Sequence, residues 1–512
     1  MMSQVFPFAA YVPETPEGDF DTVLRAQLSA PGHRLAELNS ELVRVGPHAP
    51  AALPLLIEAA ACYGRENDFE TQSCYAKAAY ACAESWGDPV SLAEAGTSVA
   101  VACCWTGDLR KAAEHADEVA AYLDTLDDAA ARRMLSTLAD LSWVEMQLRR
   151  LREAQAHQRR GLRIAEAAFD LDRTILFRVL LGATSREDGR LGDAIRHVHR
   201  ARETAEGRGT PVCRGLVLAA QSAIAFESGD PARSRELAEE ARREAGAHPR
   251  FAAVGMVLGL SLIATGRPRE GRDQLIDAAG GRSLPLAPAM SRARLLAALA
   301  AADAELGNQA EAERWSELAM ASTSTQYHDH PLGWAHLARA EALSRSDPAS
   351  ARPAADTARM AFERAGARLG EAAALSLLGT VQGRLGRTSD SLEAFARAEE
   401  LYRSCAATAA ADHVRLLRTS AQTAAEVTAE AERAVRTVVG SLSPREKQVA
   451  RLIAEGSSNQ QIASVLDIKL NTVQVHVGRI LRKLRVRSRS AVARVMTLAE
   501  TTDLAVAAGG RN

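Results

Sequence analysis

From about Asn471 to Arg485 the apolar residues Val473, Val477, Ile480 and Leu484 recur at spacings of four, three and four. That pattern puts them on one stripe of a helix and leaves the opposite face free. Upstream, Ser443, Pro444 and Glu446 spell a helix start, with a Ser cap, a Pro at the first helical position and a Glu three residues after the cap. Val449, Leu452 and Ile453 continue at helical spacing, and Gly456 supplies the left-handed residue that ends the helix. Ser458 with Gln461 opens a second, shorter helix carrying Ile462, Ala463, Val465 and Leu466, joined to the next by a tight turn. Ser488 can cap a last helix whose Ala491, Val492, Val495 and Leu498 offer an apolar stripe. Residues 441–500 are therefore predicted to be four short helices with a helix-turn-helix at their centre.

The preceding 440 residues show helical periodicity with almost no strand-like runs, and a turn signal followed by a helix start recurs along them. Aligned at the turn residue, the signals fall at Asn67, Gly107, Arg149, Gly189, Gly229, Gly266, Gly307, Ser346 and Gly386. Successive spacings are 40, 42, 40, 40, 37, 41, 39 and 40 residues. A period near 40 holds two helices of about 15 residues and two turns, which is a helical hairpin repeat. The units resemble the tetratricopeptide class, although longer than its usual repeat, and share little beyond the turn, small residues and periodicity. The fold class expected is all-α, an α-solenoid of tetratricopeptide-like hairpins followed by a four-helix domain. Its divisions are an irregular N-terminus over 1–20, repeats over 21–405, a helical connector over 406–440, the four-helix domain over 441–500 and a flexible tail over 501–512. The connector is rich in Ala, Thr and Glu and has no Gly or Pro from 406 to 439, which predicts a stiff helix able to pass a change in the repeats towards the C-terminal end.

Charge changes the picture. Residues 441–500 hold 11 Lys or Arg against 4 Asp or Glu, whereas the whole chain has 62 against 64. A basic module on an acidic body points to nucleic acid. The free face of the 471–485 helix carries Gln474, Val475, Gly478, Arg479 and Arg482, with short groups near its N-terminus and arginines further on. Such a helix suits a DNA major groove, with the first set on base edges and the second near phosphates. A small bundle using its basic face for solubility or for a protein partner is the plainer alternative.

The segment resembles the C-terminal DNA-binding domain of the LuxR family of bacterial transcriptional regulators. The likeness rests on ordered agreement at positions including Leu442, Pro444, Arg445, Glu446, Val449, Gly456, Asn459, Ile462, Leu466, Thr472, Val473, Val475, His476, Ile480, Lys483, Leu484, Ser488 and Arg489. It implies that Asn459, Thr472 and Lys483 lie near the DNA backbone, that positions 474, 475 and 478 lie near bases, and that the last helix makes a two-fold dimer contact. With Lys469, Asn471, Arg479 and Arg482 these form the candidate DNA-facing set. Two departures matter: Gln474 stands where the family commonly has Lys, and Lys469 stands where a Ser usually caps the recognition helix. Gln can pair bidentately with adenine and Val475 can touch a thymine methyl, which predicts an A·T-biased contact. Gly478 costs its helix about 1 kcal/mol relative to Ala, and either permits close approach to the duplex or is merely tolerated.

Other motifs narrow the function classes. No Gly-Lys pair occurs, which excludes a phosphate-binding loop of the GxxxxGK[ST] form, and no α/β receiver unit is visible. The seven cysteines, at 62, 74, 82, 103, 104, 213 and 405, lack a CxxC pair and read as reduced and mostly buried, with Cys103 and Cys104 a minor redox alternative. Tyr327, His328, Asp329 and His330 resemble a metal cluster but lack a fourth group, so no metal is expected. Trp105, Trp143, Trp315 and Trp334 read first as gap-fillers between repeat helices and second as concave-surface aromatics that stack on a ligand. No nucleophile–base or paired-carboxylate arrangement stands out, so neither an enzyme nor a cofactor is expected. The chain start lacks a signal-peptide pattern and no long apolar run occurs, which predicts a cytoplasmic protein without membrane partners. The reading that results is a sequence-specific transcriptional regulator that binds double-stranded DNA as a homodimer and works with RNA polymerase. Its repeats would sense a protein or small-molecule effector. The alternative is a repeat scaffold for which DNA binding only provides localisation.

Overall fold

A computed structural model describes residues 33–245, 252–323, 329–497 and 499. The expected irregular N-terminus and C-terminal tail, Tyr327, His328 and Leu498 lie outside the described residues. The chain divides into two compact units, Met1–Arg418 and Thr419–Asn512. This boundary falls inside the long helix Thr408–Gly440, so the first part of the expected connector belongs with the repeats.

Among the described residues the first unit is an all-helical solenoid. Hairpins follow one another, as in Pro89–Thr106 with Leu109–Thr125, Leu171–Glu187 with Leu191–Arg208, and Ala289–Glu305 with Gln309–Ala321. Helices of 11 to 18 residues alternate mostly with turns of two to four, because most turns combine a left-handed residue with an N-cap. Gly107, Gly189, Gly229, Gly266, Gly307 and Gly386 all have positive φ, as do Asn67 and Arg149, which fill the same role without being glycine. After the left-handed residue the chain closes with bonds such as Arg190 N–H to Ser185 O at 2.8 Å and Arg150 N–H to Glu145 O at 2.8 Å, which satisfy the last carbonyls of the helix. Where Asp follows, its carboxylate caps the next helix: Asp68, Asp108, Asp230 and Asp347 accept from the backbone N–H of Thr71, Lys111, Arg233 and Ser350. Ser346 departs from the pattern. It marks a turn but is absent from the left-handed residues.

Small residues let the helices approach closely. A Cβ added at Gly161 would lie 2.2 Å from the Phe177 ring, and one at Gly379 would lie 2.7 Å from Phe395, so each ring fills the space a side chain would need. The solenoid also returns upon itself within this unit. Arg292 Nη2 donates to the carbonyl of Trp105 at 2.6 Å, and Ala410 N–H donates to the carbonyl of Ser228 at 3.0 Å. Both links join residues between four and five 40-residue periods apart, which closes one superhelical turn around an inner hollow.

The tryptophans pack between repeat helices, as the first of the two readings expects. Trp315 is fully buried and donates to Asp303 at 2.8 Å, while Trp105 stacks between Phe69 and Trp143 at 4.0 and 5.8 Å. Trp334 packs edge-on against Phe362 at 5.1 Å and also borders the hollow. Cys103 and Cys104 are buried, and burial pushes the Cys103 thiol up to about 11 and Cys104 further in the same direction. Such thiols stay protonated, which removes the physical basis for the redox alternative. Among the described residues no cluster of three or more metal-ligating side chains occurs; His330 instead accepts from Trp334 Nε1 at 3.3 Å. No described helix is long and apolar enough to cross a membrane.

Candidate nucleic-acid interface

In the second unit the helix Pro444–Ala454 starts from a complete capping box. Glu446 N–H donates to Ser443 Oγ at 3.3 Å and Ser443 N–H donates to Glu446 Oε2 at 2.8 Å. Gly456, at φ +85°, ends this segment, and a second box formed by Ser458 and Gln461 opens the helix Asn459–Leu466. That helix stops on Asp467, a left-handed residue at φ 51°, and Ile468 N–H returns to the carbonyl of Ala463 at 3.0 Å. The turn delivers the chain directly into the helix Leu470–Lys483. Lys469 occupies its N-cap position with no side-chain bond to the helix, the loss the sequence implied.

The predicted stripe is buried. Val473 and Ile480 are fully enclosed, Leu484 nearly so and Val477 is half-buried, packed with Leu442, Val449, Ala450, Ile453, Ile462, Val492 and Met496 in one small core. Burying about ten such side chains is what holds so short a bundle together, at roughly 1.5 to 3 kcal/mol for each large one. On the other side Asn471, Thr472, Gln474, Val475, Gly478, Arg479 and Arg482 are all exposed, and Val475 keeps 52% of its surface in solvent. Around Gly478 nothing lies within 4 Å of where a Cβ would stand, so no internal packing demands the glycine.

Three predicted residues are placed less simply. Lys483 Nζ donates to Glu446 Oε2 at 2.6 Å and to the carbonyl of Ser441 at 3.2 Å, so it ties the end of the exposed helix to the start of the first. The bond from Lys483, followed by that from Ser443 N–H, holds the Glu446 carboxyl down at about 2. Asn459 is half-buried and accepts from Arg489 Nη1 at 2.8 Å, and the same guanidinium donates to the carbonyl of Ser457. Lys469 is exposed. The pattern of apolar residues does not reveal these ties, because polar contacts between residues 30 or more apart leave no periodic trace. Arg445 is likewise engaged, donating to the carbonyl of Leu466 at 2.7 Å.

Ser488 Oγ accepts from Ala491 N–H at 3.2 Å and residues 489–497 are helical. Of the apolar stripe expected there, Val492 is fully buried in the bundle's own core, which leaves Ala491 and Val495 half-buried. Sequence spacing could not separate the side serving the core from the side left over. Val465 and Leu470 are two exposed apolar residues not singled out beforehand as DNA-facing, 63% and 38% in solvent, on the helices flanking the tight turn.

Residues 440–496 match the model of the family described as bacterial regulatory proteins, luxR family. They form a LuxR-type helix-turn-helix domain. The same stretch is 56% identical over 50 residues to the nitrate/nitrite response regulator protein NarP of Escherichia coli and 47% identical over 51 residues to NarL of that organism. It is 49% identical over 49 residues to the response regulator protein VraR of Staphylococcus aureus. Each match covers 10% of this chain and 23% or 24% of the relative, so the chain spans about a quarter of the length of the curated relatives it matches. Among solved structures, an APC/C hetero-tetramer of Cut9 and Hcn1 aligns over 74% of this chain and 83% of its own, at TM-score 0.37 and 14% identity. The apo form of the quorum sensor NprR from B. thuringiensis aligns over 75% and 99%, at TM-score 0.35 and 12% identity. The chain carries this LuxR-type helix-turn-helix domain C-terminal in sequence to the helical-repeat unit, and Leu470–Lys483 is the second helix of the helix-turn-helix.

Proposed function

We propose that the protein is a sequence-specific transcriptional regulator whose LuxR-type domain reads duplex DNA through the exposed side of its recognition helix. Gln474 and Val475 meet base edges at an A·T-biased position, Gly478 lets the helix sit close, and Arg479 and Arg482 run along the phosphates. Asn459, Lys469, Asn471, Thr472 and Lys483 position the domain on the backbone. The observation that carries this reading is the division of one helix into a stripe sealed in its own core and an opposite side of short polar, apolar and basic groups left in solvent.

Two copies pair through the surface left on the last helix and place recognition helices about one duplex turn apart, roughly 10 base pairs. The regulator acts in the cytoplasm with RNA polymerase, and the solenoid senses an effector. Retention of genomic DNA fragments by the purified full chain tests the core of the proposal: selective enrichment of a shared A·T-containing motif is the expected result. Retention without any sequence preference at moderate salt overturns it, because backbone contacts alone carry no sequence information.

A further inference from the structure

Inside the closed turn of the solenoid, the first helices of consecutive hairpins surround a cavity of about 310 Å³. Its walls are mostly apolar, with Leu260, Leu337, Leu369 and Trp334 at the surface, and the space between them is kept open by alanines. One end is shut where the chain meets itself: a Cβ on Gly229 would stand 2.3 Å from the backbone nitrogen of Ala410.

Two carboxylates and one guanidinium line this hollow, and their states differ. Glu227 pairs with Arg294 at 2.5 Å and with Arg186 at 3.1 Å, and Arg186 continues to Glu187 at 2.7 Å, which in turn meets Arg149 at 3.3 Å. Arg294 also lies over the Trp334 ring at 5.1 Å, so its charge is met by both a carboxylate and an aromatic face. Glu341 stands outside this chain of alternating charge. Its carboxylate has neither a hydrogen bond nor an ion pair among the described residues; Arg384 and Arg345 act on it only through space, and Arg384 spends a donor on the carbonyl of Ser344 at 2.7 Å. Burial pushes the Glu341 carboxyl up to about 7. A half-buried carboxyl that faces an apolar hollow without a partner has lost part of its hydration, and a ligand that supplies a cation offsets that loss.

We propose that this hollow binds a small organic cation, with its ammonium group on Glu341 and an apolar body against Leu260, Leu337, Leu369 and Trp334. An anion is disfavoured because Arg294 is already neutralised and two carboxylates face the space. The volume lies at the lower end of that of ligand pockets, which selects a small molecule over a folded partner. The inference rests on the effector-sensing part of the proposed function only for its consequence, that occupancy alters DNA binding.

Calorimetric titration of the full chain with 2-phenylethylamine, with 2-phenylethanol as neutral control and phenylacetate as anionic control, tests the site. The amine is expected to bind and both controls to bind at least about tenfold more weakly, since a charge-assisted bond is lost in each. Glu341→Gln should cost the amine at least about tenfold while leaving the fold intact, because that carboxyl holds no partner. Ala301→Leu, which fills the hollow from another helix, should abolish binding independently. Equal or tighter binding of either control, an unchanged affinity in Glu341→Gln, or no binding of the amine at about 1 mM overturns the proposal. DNA retention measured in parallel separates the two readings: amine binding with unaltered DNA affinity upholds the site and removes the sensing role, whereas failure to retain DNA removes the regulator reading alone.

Discussion

Glu446→Gln isolates the tie that fixes the recognition helix against the rest of its domain. Glu446 is nearly fully enclosed, and its Oε2 accepts from both Ser443 N–H and Lys483 Nζ. The amide keeps an acceptor for Ser443 but removes the charge that holds the ammonium. Because the carboxyl titrates at about 2 instead of 4.5, its ionised form is favoured by the fold by at most about 3 kcal/mol, taking 1.36 kcal/mol per pH unit. Lys483 is 40% exposed, and solvent screening brings the expected loss down to about 1 to 2 kcal/mol. A depressed folded-state pKa means that this stability is present above the unfolded value of 4.5 and disappears as the pH falls through about 2. Urea unfolding of the fragment 419–512, followed by far-ultraviolet circular dichroism, should therefore show the variant weaker by that amount at pH 7 and equal to the parent near pH 2. A difference under about 0.3 kcal/mol at pH 7, or one that persists unchanged at pH 2, would refute the reasoning. Lys483→Met should lose similar stability and also lose affinity for every DNA sequence alike. Glu446→Gln, measured where the domain stays folded, should keep that affinity.

Three further outcomes follow from the packing. Gly478→Ala should raise the stability of the same fragment by about 1 kcal/mol, since nothing surrounds the new methyl, yet weaken binding to cognate DNA; tighter binding would show that the duplex does not approach this point. Gly161→Ala should destabilise the solenoid by about 1 to 3 kcal/mol through its clash with Phe177, read as a lower thermal midpoint of the full chain, and an unchanged midpoint would mean that the ring moves aside freely. Glu341, whose folded-state pKa is raised, should make the solenoid lose stability as the pH rises from 4.5 through about 7, with Arg384 and Arg345 tempering the loss; Glu341→Gln should flatten this part of the pH–midpoint curve, and a curve of the same slope would contradict the burial argument.

The sequence makes legible whatever local backbone chemistry dictates. The left-handed turn at Gly107 followed by the Asp108 cap, the two capping boxes at Ser443 and Ser458, and the stripe Val473–Val477–Ile480–Leu484 each follow from residues within one or two turns of one another. Asn67 and Arg149 fitted the period although they lack glycine's freedom, because the flanking helices leave a left-handed residue as the short way round. Ser346 kept the period without that conformation, so the spacing was a better guide than the residue type. Long-range features were not legible. The Lys483–Glu446 pair and the Arg489–Asn459 bond join residues 37 and 30 apart, and which side of the last helix Val492 faces depends on where three other helices sit. The hollow beside Glu341 depends on the superhelical closure of Ser228 on Ala410, which no repeat period specifies.

The most direct test of the central claim is binding-site selection on random duplex DNA by the full chain and by its Gln474→Ala variant. Direct reading by the exposed ridge predicts that the variant loses preference at one A·T pair, with a cost of about 1 to 3 kcal/mol on the parent site and little change on unrelated DNA. Equal losses on cognate and random sequence, or an unchanged preference at every position, would contradict it.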